Sequence, residues 1–122
     1  MGSQGASFSK AERVRKRPEY LRIQSQGRKI VLAKLLAFCL FEGEGSPRLG
    51  VTVSGKVGGS VVRNRVKRLL REAFRHLKQT LPRGLVLVLI AKPQAAKASL
   101  SELCEDLAML SGSLVPPPVL QD

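Results

Sequence analysis

Between Gly58 and Lys78 the chain reads GGSVVRNRVKRLLREAFRHLK, with Arg63, Arg65, Lys67, Arg68, Arg71, Arg75 and Lys78 set against a single acid, Glu72. Like charges four residues apart on a helix repel, so solubility gives no reason for one sign to dominate. Lys and Arg at this density neutralise phosphates, and an Arg guanidinium can fork onto a phosphate or a base edge. Groups for covalent or acid–base chemistry are scarce. His76 is the one histidine, it falls on the polar side of the segment, and no carboxylate cluster suits a pair of metal ions. Cys39 and Cys104 lie in apolar stretches without Cys-x-x-Cys spacing, which reads as two reduced, packed thiols.

The bulk composition narrows the partner. A chain of 122 residues is one domain by length, and 43% hydrophobic content with 4% aromatic and no Trp implies an aliphatic core. The formal net charge of +12 is unevenly placed: residues 1–78 hold 18 Lys and Arg against five acids, and residues 79–122 hold three against four. Such a basic body points to a polyanion, nucleic acid first and an anionic membrane second. The N-terminus lacks an apolar signal region and no run approaches a membrane span, so the expectation is a soluble cytoplasmic protein.

The elements that must position the basic segment follow from periodicity and punctuation. MGSQGAS, residues 1–7, reads as a disordered arm, and RVRKR after it as extended or irregular. Pro18 opens a short helix over about 18–26, ended by Gly27. The run 30–41 has the length and β-rich ends of a strand, with Lys34 as the point where it would break. RLGVTVS (48–54) reads as a strand paired to it in a hairpin across EGEGSPR. After the glycine-bearing loop 55–59, Ser60 is the expected N-cap of the basic helix. Val62, Val66, Leu69, Leu70, Ala73 and Leu77 give that helix one apolar stripe, opposite Arg63, Lys67, Arg68, Arg71 and Arg75. PRG (82–84) ends it. LVLVLIA (85–91) is a buried strand, residues 99–110 form an amphipathic helix, and 112–122 is a stiff proline-rich tail. The fold class is α+β, order αβββαβα, with helices covering one sheet in a folded domain over 8–111.

Three readings compete for the basic helix. A merely solvated face does not account for one sign continuing into RVRKR, Arg22, Arg28 and Lys29. A membrane-surface helix would need apolar residues that the sheet here consumes. Nucleic acid is the reading left in front. A helix-turn-helix needs a second short helix just before the basic one, yet a strand and a glycine loop precede it, so neither DNA nor a membrane is the expected partner. A basic helix beside a sheet with a few aromatics suits structured RNA plus a single strand.

At KVGGSVVRNRVKRLLREAFR the chain resembles the protein subunit of bacterial ribonuclease P, whose signature is SxKVGxAVxRNRxKRxxREAFR. RVRKRPEYLRI, RLGVTVS and LPRGLVLVLIAKP extend the resemblance over about residues 9–111. It implies a two-layer α-β sandwich like a small-subunit ribosomal protein domain, with a left-handed βαβ crossover. It also implies a partner RNA that carries out the hydrolysis releasing the 5′ leader of precursor tRNA. The protein then supplies no catalytic residue and binds no cofactor alone, magnesium acting with the RNA subunit. Carried over by position, Lys56, Arg63, Asn64, Arg65, Lys67, Arg68 and Arg71 would dock the catalytic RNA. Tyr20 and Phe38 would line a cleft for the single-stranded leader, with Gln24, Arg15 and Arg22 beside them. Gln24 stands where the family commonly has a second aromatic, and Gly55 and Gly59 replace a common Lys and Asn. A ribosomal or general RNA-chaperone protein would share the charge and fold class but not the spacing of that signature.

Overall fold

The computed structural model describes residues 13, 14 and 17–114; Arg15, the arm placed at 1–7 and residues 115–122 of the tail lie outside them. In chain order the elements are α1 (Arg17–Gln26), β1 (Arg28–Val31), β2 (Leu35–Phe41), β3 (Arg48–Thr52), α2 (Ser60–Leu77), β4 (Leu85–Ala91) and α3 (Leu100–Ser113). Short 3-10 turns at Lys78–Thr80 and Pro93–Lys97 flank β4. The α+β class and the expected element order are therefore present.

The strand pairing departs from the expected hairpin. β1 and β2 form the hairpin, broken at Lys34, in antiparallel register from Arg28 opposite Cys39 to Val31 opposite Leu36. β3 does not pair with β2. It runs parallel to β4, and the sheet order is β1-β2-β4-β3. The reason lies in β4, which is apolar on both faces: Leu85, Leu87 and Leu89 point one way and Val86 and Val88 the other, all buried. A strand buried on both faces belongs at the centre of a sheet, and its insertion displaces β3 to the edge. β3, α2 and β4 thereby form the βαβ crossover.

The two faces carry different cores. One joins Leu35, Ala37, Cys39, Leu49, Leu85, Leu87 and Leu89 to Val66, Leu70, Ala73 and Phe74 of α2 and Leu103, Leu107 and Leu110 of α3. On the opposite face Val14 and Ile23 of the α1 region meet Val86 and Val88, with Tyr20, Phe38, Leu40 and Ile90 partly buried around them. The helices thus lie on both faces, with α1 covering only part of its own. The turn from α1 into β1 depends on Gly27, whose N–H donates to the Ile23 carbonyl at 2.8 Å. A Cβ there would approach that oxygen to 2.6 Å and the Cys39 oxygen to 2.9 Å.

Three boundaries are corrected. Ser60 is the first residue of α2 rather than its cap; Gly59 occupies the cap position and offers no side chain. α2 ends at Leu77, before PRG, through the 3-10 turn. α3 continues to Ser113, past the expected start of the tail, because Leu110 and Leu114 are buried and carry the apolar pattern onward. At its start Ser99 Oγ accepts the Glu102 N–H (3.1 Å) and Glu102 Oε1 accepts the Ser99 N–H (2.9 Å), a reciprocal cap.

Candidate nucleic-acid interface

α2 lies on the sheet by Val66, Leu70, Ala73 and Phe74, which leaves its remaining arc for the cations. Residues four apart share a flank, so Arg63, Lys67 and Arg71 form one row. Arg71 and Tyr20 both wall a depression of about 270 Å³ that also holds Arg13, Val14, Leu49, Gly50 and Val51, which places this row beside β3. All three are half-buried, and the Arg63 Nε is a buried atom with no hydrogen-bond partner. Asn64, Arg68 and Arg75 are exposed along the outer crest. The one acid of α2 is taken up by Arg75, whose guanidinium is 3.5 Å from Glu72. Lys56 is exposed in the preceding loop, its backbone N–H donating to Ser54 Oγ at 3.3 Å.

Arg65 departs from its expected place on the docking face. Its two terminal nitrogens donate to the carbonyls of Ala96 (3.1 Å) and Ala98 (2.8 Å) in the connection from β4 to α3. The fork is occupied within the fold, on the flank away from β3. The sequence could not reveal this, since the accepting carbonyls lie 31 and 33 residues on.

α1 and the sheet face beneath it make the second half of the site. The hydroxyl end of Tyr20 lies against Gly50, and its hydroxyl donates to the Val51 carbonyl at 3.3 Å. Burial raises the phenol pKa; the bond to Val51 and the nearby Arg71 charge oppose the rise. On the other side of Tyr20 is a groove of about 400 Å³ lined by Arg17, Leu21, Gln24 and Thr52. Phe38, opposite Val88 in register, is half-buried in the same sheet face as Tyr20 and Ile90. Tyr20, Gln24 and Phe38 are therefore brought to one side of the molecule. Arg22 is not: it turns away to pair with Glu42 at 2.8 Å, an exposed pair that holds the Glu42 carboxyl below its ordinary range.

Sequence reasoning overlooked Leu21 and Thr52, and counted Arg13 and Arg17 only within the RVRKR charge run. Arg17 was within reach, being three and seven residues before Tyr20 and Gln24 and so on their helix face. Thr52 and Gly50 reach the site only because β3 pairs with β4, which no local pattern announces. Leu21 is 49% exposed, an apolar side chain left bare on the lip of the groove.

Among the described residues no group of three or more His, Cys, Asp or Glu is placed to hold a metal ion, and no helix is long and apolar enough to cross a membrane. Burial pushes the Cys39 thiol up to about 12, and both cysteines are free. What this arrangement offers is a cationic ridge on α2 and a groove under α1, with Tyr20 forming a wall of both adjoining depressions.

Comparison with known proteins shows the family of the chain. Residues 8–114 match the family model described as Ribonuclease P. A ribonuclease P protein component of Syntrophus aciditrophicus is 37% identical over 105 residues, covering 85% of this chain and 87% of that protein. Its counterpart from Gluconacetobacter diazotrophicus is 40% identical over 100 residues, covering 80% and 86%. The solved structure of the RNase P protein from Thermotoga maritima superposes with a TM-score of 0.77 at 28% identity, covering 86% of this chain and 99% of that one. The Staphylococcus aureus RNase P protein gives 0.76 at 25% identity, with 85% and 95% covered.

Proposed function

The chain belongs to the ribonuclease P protein family, and from that premise we propose that it is the protein subunit of the holoenzyme that trims the 5′ leader from precursor tRNA. In this reading a ribonuclease P RNA carries out the phosphodiester hydrolysis, and magnesium held by that RNA assists it. The complex works in the cytoplasm.

The chain contributes binding. Arg63, Lys67, Arg68 and Arg71, with Lys56 from the loop, neutralise RNA phosphates and release counterions, which lowers the magnesium needed to hold the complex together. Tyr20, Gln24 and Phe38 take the single-stranded leader, aided by Arg17. Base stacking on an aromatic is tolerant of sequence and is worth about 1–3 kcal/mol per base, so many leaders are accepted. Mature tRNA has no leader and gains nothing from the groove; precursor is therefore preferred and product leaves. The observation that carries the reading is the shared Tyr20 wall: a strand leaving the α2 ridge at Arg71 would pass Tyr20 on its way into the α1 groove.

The test is cleavage of 5′-labelled precursor tRNA by a bacterial ribonuclease P RNA at low magnesium, with and without this protein. Restored cleavage at the mature 5′ end is the expected result. RNA binding without any change in cleavage would replace this reading with that of a general RNA-binding protein. Within the holoenzyme, Arg68→Ala should lower the salt dependence of RNA binding by about one counterion and leave the melting temperature unchanged.

A further inference from the structure

We propose that Arg65 is a positioning residue that holds Lys97 as an additional phosphate contact, widening the docking surface to the far flank of α2; this rests on the reading that α2 docks structured RNA. Lys97 ends the 3-10 turn Pro93–Lys97 and stands between Ala96 and Ala98, whose carbonyls the Arg65 fork holds at 3.1 and 2.8 Å. The turn is closed from within by the Ala95 N–H on the Lys92 carbonyl (2.8 Å) and the Ala98 N–H on the Ala95 carbonyl (3.1 Å). Ala95 and Ala98 are fully buried while Lys97 is exposed. The backbone that carries Lys97 is therefore fixed on both sides, and only the cation is left in solvent.

Lys97 makes no ion pair among the described residues. Glu102, five residues on, is engaged in capping α3 through Ser99. The cations of the ridge then lie on both flanks of α2: Lys67 and Arg71 beside β3, Arg68 on the crest, and Lys97 beside α3. A phosphate backbone straddling the helix meets positive charge on either side. Arg65 suits the clasp because its planar guanidinium presents two parallel N–H donors to two carbonyls, a geometry an ammonium does not reproduce.

The experiment measures binding of the full chain to an in vitro transcribed bacterial ribonuclease P RNA across a KCl titration, together with thermal melting. Lys97→Ala should weaken binding several-fold at moderate salt, lower the slope of log affinity against log salt by about 1, and leave melting unchanged. Arg65→Lys keeps the charge but loses the fork. It should lower the melting temperature and reproduce the slope of Lys97→Ala, and the double variant should fall no further than either single one. Arg68→Ala serves as the reference. If Arg68→Ala lowers the slope and Lys97→Ala does not, the Lys97 contact is refuted while α2 docking stands. If Arg65→Lys destabilises the fold at an unchanged slope, its positioning role is refuted. No slope change in any variant would overturn the docking reading itself.

Discussion

Replacing Gly50 by Ala tests whether the fold of β3 holds the groove under α1 in shape. Gly50 lies under α1, and a Cβ there would stand 2.9 Å from Tyr20 Cζ, Tyr20 Oη and Val14 Cβ. Carbon atoms in good contact are about 3.5–4.0 Å apart, so each approach is a real overlap. Gly50 is not among the glycines with positive φ, so the cost is steric and carries no backbone strain. The Tyr20 ring can swing outward by giving up its bond to Val51. Val14 has less freedom, being 3% exposed with its N–H on the Leu49 carbonyl at 2.9 Å. Overpacking of this kind costs about 1–3 kcal/mol, and each kcal/mol lowers the melting temperature of a domain this size by about 4–8 °C. The same displacement should narrow the affinity gap between precursor and mature tRNA. The assay is thermal denaturation of Gly50→Ala alone and in a Tyr20→Ala background, with paired binding measurements on the two tRNAs. Removing the ring abolishes two of the three close approaches, so Gly50→Ala should cost less there. Equal losses in both backgrounds, or a shift within about 2 °C in the native background, would show that Tyr20 does not rest on β3.

Tyr20→Phe removes the hydroxyl and its 3.3 Å bond to Val51; stability should fall by about 0.5–1.5 kcal/mol with the precursor preference kept, whereas Tyr20→Ala should lose that preference, as the ratio of the two dissociation constants would report. Ser99→Ala breaks the reciprocal cap of α3 and should cost about 1 kcal/mol in urea denaturation. The folded Cys39 thiol is pushed up to about 12 by burial, while in the unfolded chain it titrates near its ordinary value of about 8.5. The folded state thus holds the proton more tightly, a stabilisation that is whole below the unfolded value and lost as pH rises through the folded one. The Cys39 contribution to stability in urea should be constant from neutral pH to about pH 8.5 and fall above it, and alkylation at that pH should reach Cys104 before Cys39.

The local pattern of the chain settled more than its architecture. LVLVLIA could only be a buried strand, Gly27 could only end α1 in a turn this tight, and the stripe on α2 required an apolar floor and a cationic roof. The density of Lys and Arg with one acid pointed to a polyanion before any fold was known, and the RNR block carried the resemblance to the ribonuclease P family. These are one-dimensional properties, set by helical and strand periods and by what glycine and proline permit.

The third dimension decided which cations are free and which residues meet. Arg65 and Arg68 are indistinguishable as positively charged members of one helix, yet Arg65 is held by carbonyls beyond β4 while Arg68 stands in solvent. Arg22 carries the same charge as Arg17 but faces Glu42, so only Arg17 lines the groove. β3 reads as the natural hairpin partner of β2, and it lies instead beyond β4, which carries Gly50 and Thr52 under α1. Periodicity tells a residue which way to face, but a pairing partner is chosen by which strand can be buried on both sides, and that choice is made between segments far apart in the chain.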